Sequence, residues 1–207
     1  MSSDTPANTL AIPCTGFAGA RKIASGSLAD VALALNPLAE TAKDPLLIFA
    51  DDTGTVLDID LRGSTADMLY RLTRYQAPQP PQPPAAAKPR GRPKLGVIAR
   101  EVTLLPRHWD WLAAQPGGAS QALRRLVDQA RKADGGQTAR RLAHERAYRV
   151  MAALAGDYPG FEDAARALFA DDIDALARAA APWPQDVRDY AVKLAQPQEQ
   201  PQDQSRE

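Results

Sequence analysis

Residues 88–132 read KPRGRPKLGVIAREVTLLPRHWDWLAAQPGGASQALRRLVDQARK and contain a basic arm, a strand-forming stretch and two helical patterns in immediate succession. The stretch 97–105 is rich in β-branched and aliphatic residues, which favours a strand. Pro106 suits the first position of the following helix, because its missing N–H would have no helical partner there. A Pro-Gly-Gly turn ends that helix, and a second begins at Ser120 or the residue before it. The sequence therefore predicts a strand-helix-helix unit over residues 97–133.

The charge of the chain sums to zero but is unevenly distributed. Residues 77–136 hold ten Lys and Arg against four Asp and Glu, a net charge of +6. Residues 1–76 hold six against nine, and residues 137–207 hold nine against twelve, so each flank carries −3. A basic segment between acidic flanks concentrates attraction for a polyanion in the middle of the chain. Chance clustering of charges is the alternative explanation.

The basic arm combines arginine, glycine and proline in a pattern suited to a narrow DNA groove. The minor groove of an A·T tract has an enhanced negative potential and only acceptor atoms on its floor, which favours the guanidinium groups of Arg90 and Arg92. Gly91 lets the backbone approach the groove floor, and the flanking prolines reduce the entropy lost on docking. The run Lys88-Pro89-Arg90-Gly91-Arg92-Pro93-Lys94 resembles the core of the AT-hook, which implies minor-groove binding. A solvated basic linker is the alternative.

The strand-helix-helix order resembles the ribbon-helix-helix family over residues 97–132. Members of that family form intertwined dimers whose paired strands enter the major groove, and the start of their second helix rests on phosphate. The resemblance therefore implies a homodimer, with Ser120 and Arg124 or Arg125 as phosphate contacts.

The register of the ribbon stays open. Carried over by position, Arg100, Val102 and Leu104 would point to the bases, and Glu101, Thr103 and Leu105 to the core. Val102 and Leu104 are poor base readers, and a buried Glu101 is costly. The opposite register exposes Glu101 and hides the two aliphatic side chains, but it also buries Arg100. We therefore predict the topology and not base readout by the ribbon.

Residues 14–76 predict a small α+β domain. Glycines mark turns between two short strands, and Ser27 is placed to cap a helix with apolar residues at i, i+3, i+4 and i+7. A buried-type strand follows, and a hairpin turn at 51–54 leads into a strand at 55–61 whose alternate apolar residues share one face. A last helix opens at Ser64 or the next residue.

Residues 77–96 predict a proline-rich linker that ends in the basic arm. Proline lacks the N–H that helices and strand ladders need, so APQPPQPPAAA at 77–87 predicts a polyproline spacer. Such runs are also ligands for aromatic grooves, which is the alternative role.

The C-terminal part of the chain has helical periodicity. Residues 138–195 predict a separate helical domain, interrupted by a glycine-rich break at 156–160 and a Pro-Trp-Pro hinge at 182–184. The two ends of the chain, 1–13 and 196–207, predict disorder.

Composition limits the class of protein. Cys14 is the only cysteine, so no intrachain disulfide is possible and a reducing cytoplasm is the expected compartment. The N-terminus lacks a basic region followed by an apolar run, and no stretch approaches the roughly 18 apolar residues of a membrane span. We expect a cytoplasmic protein without a membrane partner, associated with the nucleoid if it binds DNA.

Few residues suggest catalysis or metal binding. Asp58 and Asp60 lie two apart on a predicted strand next to Asp51 and Asp52, a spacing that suits a hard cation, although a solvated outer face explains them as well. His108 and His144 lack metal-ligand spacing and are expected at the surface. No nucleophile, base and orienting group can be assembled, so we expect no enzyme, no cofactor and no metal site.

Two other groups have competing explanations. Trp109 and Trp111 lie in a helical pattern, which favours core or dimer packing over stacking on bases. Asp171, Asp172 and Asp174 resemble a ligand cluster, but acidic residues at a helix start complement the helix dipole without any ion.

Three stretches together resemble a bacterial family of unknown function, namely FAGARKIASG, GRPKLGVIAREVTLLPRHWDWLAAQPGGAS and GDYPGFEDAARALFADD. The resemblance covers most of the chain and implies neither an activity nor a site. The predicted fold class is α+β, with a small N-terminal α+β domain, a proline-rich linker, a ribbon-helix-helix-like segment and an all-α C-terminal region.

The expected function is that of a homodimeric DNA-binding accessory or transcription-regulatory protein on A·T-rich double-stranded DNA. Its acidic end domains are then expected to bind another protein. The alternative is a protein-interaction module, an antitoxin-like adaptor whose strand-helix-helix unit only dimerises. The residues expected to contact DNA are Lys88, Arg90, Gly91, Arg92, Pro93, Lys94, Arg100, Ser120, Arg124 and Arg125.

Overall fold

The computed structural model of the chain describes residues 9–75 and 101–197. Within them it has a three-stranded sheet and eight α-helices, which confirms the α+β class. The strands are β1 (Pro13–Ala18), β2 (Arg21–Ser27) and β3 (Leu46–Ala50). The helices are α1 (Leu28–Leu35), α2 (Thr65–Arg74), α3 (Pro106–Ala113), α4 (Gly118–Ala133), α5 (Gln137–Ala155), α6 (Phe161–Phe169), α7 (Ile173–Ala179) and α8 (Gln185–Ala195).

The chain divides into two units, and the division is not the one that the sequence predicts. The first unit combines residues 1–77 with 136–207, and the second holds residues 78–135. The predicted N-terminal domain and the predicted helical domain are therefore parts of one unit, because they bury apolar side chains against each other. The predicted linker and its basic arm, and most of each end expected to be disordered, lie outside the described residues.

The sheet of the first unit is antiparallel, with β1 in the centre and the strand order β2-β1-β3. Gly16 lies at a bulge in the β1–β2 pairing. A Cβ on Gly16 would come within 2.7 Å of the Val31 and Leu35 side chains of α1, so glycine lets this helix approach the sheet closely. The two predicted strands and the helix capped by Ser27 are confirmed, since Asp30 N–H donates to Ser27 Oγ.

The two faces of the sheet are covered by different helices. Ile48 and Ala50 of β3 pack into a cluster with α1 and α2, while Phe49 between them packs into a cluster with α5 to α8. This alternation follows from the period of two along a strand. The sheet is thus a middle layer with a helical layer on each side.

The segment after β3 does not form the predicted strand. Phe49 and Val56 make an isolated antiparallel bridge, after which residues 57–61 leave the sheet. The side-chain amide of Asn36, a buried residue, donates to the carbonyl oxygens of Leu61 at 2.7 Å and Gly63 at 3.0 Å, which holds the segment against the end of α1. The expected inward apolar face is nevertheless present, because Leu57 and Leu61 are buried.

The helices of the C-terminal half are interrupted at the two predicted breaks, between α5 and α6 and between α7 and α8. Asp172 caps α7 by accepting a hydrogen bond from Ala175 N–H at 2.8 Å. The Pro-Trp-Pro hinge is also a core element, since Trp183 is buried and its Nε1–H donates to Pro159 O at 2.9 Å. The expectation of a surface His144 is wrong. Its side chain packs under α6 and makes contact with Asp171, a residue that periodicity alone does not bring near it.

Candidate nucleic-acid interface

The described part of the second unit is a helical hairpin, formed by α3 and α4 (residues 106–133). Pro106 occupies the first turn of α3, as predicted, and Leu105 O accepts the hydrogen bond from His108 N–H at 2.8 Å. Gly117 and Gly118 have φ values of 79° and 73°, a left-handed conformation that glycine adopts at little cost. The glycines therefore fix the reversal between the two helices.

Helix α4 begins at Gly118, ahead of both predicted starts, Ser120 and the residue before it. Gly117 takes the N-cap position, so Ser120 lies in the first turn of the helix and caps nothing. Arg124 is one turn further along, where Nε donates to Ser120 O at 3.1 Å and Nη2 donates to Ser120 Oγ at 3.2 Å. The structure thus brings together two of the residues expected to contact phosphate, a guanidinium beside the start of a helix.

Arg125, the third of these residues, points elsewhere. Its Nη2 donates to Gln115 Oε1 at 3.4 Å, which connects α4 to the end of α3. Ser120, Arg124 and Arg125 are all exposed. The remaining expected contacts, Lys88 to Lys94 and Arg100, lie outside the described residues.

The hairpin buries very little. Among residues 101–135 only Leu112 and Ala122 are buried. Six large apolar side chains of this region are 39 to 55 % exposed, and they are Val102, Leu105, Trp109, Trp111, Leu126 and Val127. The described part of this unit is shorter than the roughly 40 residues below which a chain usually needs a metal, a disulfide or another chain to hold together. We call these six side chains the apolar face of the hairpin.

The two tryptophans are therefore not core residues of the single chain. Trp109 is 42 % exposed and Trp111 51 % exposed, so the expected core packing is wrong and their packing in a dimer stays a prediction. Residues 101–105 form no strand within the described chain. Val102 and Leu105 are both exposed, so the burial pattern selects neither register of the ribbon.

The first unit also contains a polar cluster around Asp51 that the sequence does not predict. Asp51 Oδ1 accepts hydrogen bonds from Thr15 Oγ1–H and Tyr190 O–H, both at 2.8 Å, and Lys193 Nζ lies 4.0 Å from Asp51 Oδ2. Burial, followed by the nearby Asp51 charge, raises the pKa of Tyr190, so its hydroxyl stays a donor. The cluster fastens α8 to the end of β3. No sequence signal connects Asp51 with Tyr190, which are 139 positions apart.

Arg146 reinforces the same junction from α5. Its Nε donates to Leu194 O at 2.9 Å and its Nη2 to Gln196 O at 2.5 Å, so the guanidinium satisfies carbonyl groups at the end of α8. Burial lowers the pKa of Arg146, while the carboxylates of Asp51 and Asp52 oppose that effect. The buried Arg146 therefore joins α5 to the end of α8 and does not contribute a guanidinium to a ligand-binding site.

Two of the carboxylates weighed as cation ligands, Asp51 and Asp60, contact other side chains. Asp60 Oδ1 accepts from Arg62 Nε at 2.9 Å, and Arg71 Nε lies 3.4 Å from Asp60 Oδ2. The hydrogen bonds from Arg62 lower the pKa of Asp60 to about 2. No group of three or more potential metal ligands occurs among the described residues.

The chain is thus an α+β protein of two units, a three-layer unit formed by two segments of the sequence and a second unit, containing the helical hairpin, encoded between those segments. The chain belongs to the family DUF2239, described as an uncharacterized protein conserved in bacteria, whose model matches residues 13–195. No curated protein and no solved structure matches it. None of the helices in the described ranges is long and apolar enough to cross a membrane.

Proposed function

We propose that the protein is a homodimeric DNA-binding accessory or transcription-regulatory protein that grips A·T-rich double-stranded DNA with its basic arm. The observation that carries the proposal is the apolar face of the hairpin, which directly follows the basic arm in the chain. A surface that needs a second chain and an arm that suits a DNA groove are the two parts of a dimeric DNA-binding module. This function places the protein in the cytoplasm, with the nucleoid.

The dimer is supported by the energetics of the hairpin. Burial of apolar surface stabilises a fold or a complex by about 25 cal/mol per Å². The six exposed large side chains of the hairpin leave much of that stabilisation unused unless another chain covers them. A second hairpin with the same face would cover it, because a two-fold axis brings identical patches together. The ribbon-helix-helix-like pairing of residues 97–105 would extend the interface in the same dimer.

The DNA contact is supported by charge and local geometry. The segment 77–136 carries +6, and the exposed side of α4 adds Ser120 and Arg124 beside the N–H groups of its first turn. In the dimer these contacts occur twice, which increases the number of phosphates engaged. Arg90 and Arg92 supply the preference for A·T-rich sequence.

The first experiment measures binding to A·T-rich and G·C-rich duplexes by fluorescence anisotropy over a series of salt concentrations. The affinity should fall steeply with salt, by a slope of about 0.9 for each neutralised phosphate, and should favour the A·T-rich duplex. Replacing Arg90 and Arg92 by alanine should remove about 1–3 kcal/mol per contact together with the preference.

Arg178→Ala with Arg188→Ala is the matched control, because it removes two arginines from the first unit and leaves the basic segment intact. Equal losses in both double variants would reduce the effect to net charge and contradict groove binding by the arm. Absence of binding to either duplex at low salt would remove the proposal altogether.

The second experiment measures molecular mass in solution by light scattering. The wild type should have the mass of two chains, and Val127→Asp should have the mass of one, because it places a charge in the apolar face. Leu33→Asp is the control, since Leu33 is also exposed (40 %) but lies on α1. A monomeric wild type would contradict the dimer.

The apolar face also supports a second candidate, a protein-interaction module of the antitoxin-like adaptor class. In that case a different protein covers the face, and the basic segment plays no part. Wild-type protein that ignores both duplexes, and that copurifies in a fixed ratio with one protein lost in Val127→Asp, would favour this candidate over DNA binding.

A further inference from the structure

A pocket on the first unit, separate from the hairpin, carries side chains that no part of the proposed function uses. It has a volume of about 320 Å³ and lies between the first half of α5 and the turn after α6. We call it the α5 pocket, and its lining residues are Gln137, Arg140, Arg141, His144, Glu145, Phe169 and Asp171. Its volume is at the lower end of the range typical of small-molecule sites.

The floor of the α5 pocket is a histidine held by a carboxylate. His144 Nε2 lies 3.1 Å from Asp171 Oδ1, and Arg140 Nε lies 3.8 Å from Asp171 Oδ2. The His144 side chain is 11 % exposed, whereas that of Asp171 is 51 % exposed. The buried imidazole therefore has a fixed position, and the carboxylate reaches into the open part of the pocket.

Asp171 has the only positive φ of a non-glycine residue among the described residues, at 60°. A left-handed conformation costs a residue with a Cβ roughly 1–2 kcal/mol, although Asp bears it better than most. Glycine would relieve this strain but would remove the carboxylate. The position thus retains a charged group at some cost in backbone energy.

One wall of the α5 pocket is an exposed aromatic ring. Phe169 is 58 % exposed, and its ring is perpendicular to that of His144 at a centroid distance of 6.2 Å. Tyr148, one turn after His144 on α5, also contacts it, with a centroid distance of 5.5 Å. The ring is therefore held in place and still offers apolar surface to a planar group.

The rim of the α5 pocket carries side chains of both positive and negative charge. Arg141 Nη1 donates to Glu145 Oε1 at 2.6 Å, and the Arg141 side chain is 63 % exposed. With Asp171 and Arg140 the pocket thus presents two guanidinium groups and two carboxylates. Each carboxylate already has a protein partner, but its oxygen atoms keep further lone pairs that can accept a hydrogen bond from a ligand. A simple aromatic acid would satisfy the guanidinium groups but would offer no donor to these lone pairs.

We infer that the α5 pocket binds a nucleotide whose base carries an exocyclic amino group, with the base stacked on Phe169. The amino group donates to the exposed carboxylate oxygen atoms of Asp171 or Glu145, and Arg141 at the rim meets the phosphate. Stacking on an aromatic side chain contributes about 1–3 kcal/mol per base. The nucleotide is either free in solution or an unpaired residue of single-stranded nucleic acid. The inference does not depend on the proposed function.

Calorimetric titration of the full-length protein with adenosine monophosphate tests the inference. We expect saturable binding of one nucleotide per chain, with uridine monophosphate, adenosine and ribose 5-phosphate each at least about tenfold weaker. Anisotropy of a labelled single-stranded oligoadenylate distinguishes the two sources: an affinity well above that of the mononucleotide indicates nucleic acid, and an equal or lower affinity indicates free nucleotide.

Two substitutions locate the binding. Phe169→Leu and Arg141→Gln should each weaken it about tenfold. Their matched controls, Tyr70→Leu and Arg166→Gln, should leave it unchanged, because Tyr70 is also 58 % exposed and Arg166 also forms an exposed ion pair within its helix. Circular dichroism of the variants checks that they are folded.

Failure of both adenosine monophosphate and oligoadenylate to bind would overturn the inference, as would equal losses in the two pocket variants and their controls. The Arg90→Ala, Arg92→Ala double variant keeps the α5 pocket intact and should bind the nucleotide normally. Loss of duplex binding without loss of nucleotide binding would therefore separate the two proposals.

Discussion

The two units of this protein use apolar residues in opposite ways. In the first unit, Phe17, Phe49, Leu168 and Leu176 are completely buried in clusters that join elements from both halves of the chain. In the second, only two residues of the described part are buried, and the largest apolar side chains face outward. The same kind of residue is thus buried within the chain in the first unit and left exposed in the second, where we propose that another molecule covers it.

The two units also differ in the sequence separation of their side-chain hydrogen bonds. The first unit has long-range hydrogen bonds such as that between Tyr190 and Asp51. Side-chain hydrogen bonds within the described hairpin are local, and that between Arg125 and Gln115 joins residues ten positions apart. Long-range contacts fix a tertiary arrangement, while local ones fix only a helix or a turn. Substitutions that compare equivalent residues of the two units test this difference.

The largest effect should come from truncating a core leucine. Leu168→Ala should lower the free energy of unfolding by about 3–5 kcal/mol, because Leu168 is fully buried and leaves a cavity. Leu126→Ala in the apolar face should not lower the stability of the first unit and should instead weaken the proposed dimer. Urea unfolding monitored by circular dichroism, with a dilution series for the dimer, measures both. Equal effects on unfolding would contradict the contrast between the units.

The next effect concerns two glycines with positive φ. A Cβ on Gly54 (φ 67°) would come within 2.9 Å of Arg146 Cα and still closer to its carbonyl oxygen, whereas Gly118 (φ 73°) has no atom within 4 Å of that position. Gly54→Ala should therefore cost about 3 kcal/mol or more, from backbone strain and overlap together. Gly118→Ala should cost only the strain, about 1–2 kcal/mol.

Chemical denaturation of both glycine variants gives these values. A smaller cost for Gly54→Ala than for Gly118→Ala would show that α5 does not pack against the turn after β3.

A smaller effect should come from removing one hydroxyl of the junction. Tyr190→Phe deletes the donor to Asp51 and should cost about 1.5–3 kcal/mol, the range for a hydrogen bond to a charged group. Tyr70→Phe, at an exposed position of α2, should change little. If both variants have the same thermal midpoint as the wild type, the hydroxyl contact contributes nothing to the junction.

The smallest effect should be a decrease in the free energy of unfolding at alkaline pH. Burial raises the pKa of the Cys14 thiol from an ordinary 9.0 to about 12. Above pH 9 the unfolded chain releases this proton while the folded chain keeps it, so the free energy of unfolding falls as pH rises, until about pH 12. At pH 10 the loss should be about 1.4 kcal/mol.

Urea titrations at pH 8 and pH 10 measure this loss, and Cys14→Ala should lack the thiol's part of it. Tyr190 acts in the same direction at still higher pH, because burial raises its pKa as well. An identical pH dependence in Cys14→Ala and wild type would assign the effect to other groups.

Local signals in the sequence predicted local structure well. Ser27 is expected to cap a helix, and Ser64 or Thr65 to begin the next one; Ser27 and Ser64 both accept the capping hydrogen bond. Pro106 was expected at a helix start and is found there. In each case the deciding atoms lie within a few residues, so the physical cause is visible in a short window.

Contacts between distant residues were not predictable in this way. The strand expected at 55–61 is replaced by an irregular segment because Asn36 holds its end, and His144 is buried because Asp171 lies near it in space. The division into an N-terminal and a C-terminal domain failed for the same reason, since periodicity does not tell which apolar faces meet. Among the expected DNA contacts, only Ser120, Arg124 and Arg125 fall on described residues, and the proximity of Ser120 and Arg124 follows from their helical spacing.

The first unit is built from two chain segments that flank the second, so both ends of the inserted segment are anchored in a single folded body. Cutting the backbone once in the proline-rich stretch would therefore not release a domain: the pieces would stay joined by the core shared between β1, β3, α5 and α8. Deleting residues 78–135 and bridging the gap with a short linker should instead leave a body that folds unaided. The second unit is thus an insertion in the sequence of the first rather than a domain that follows it.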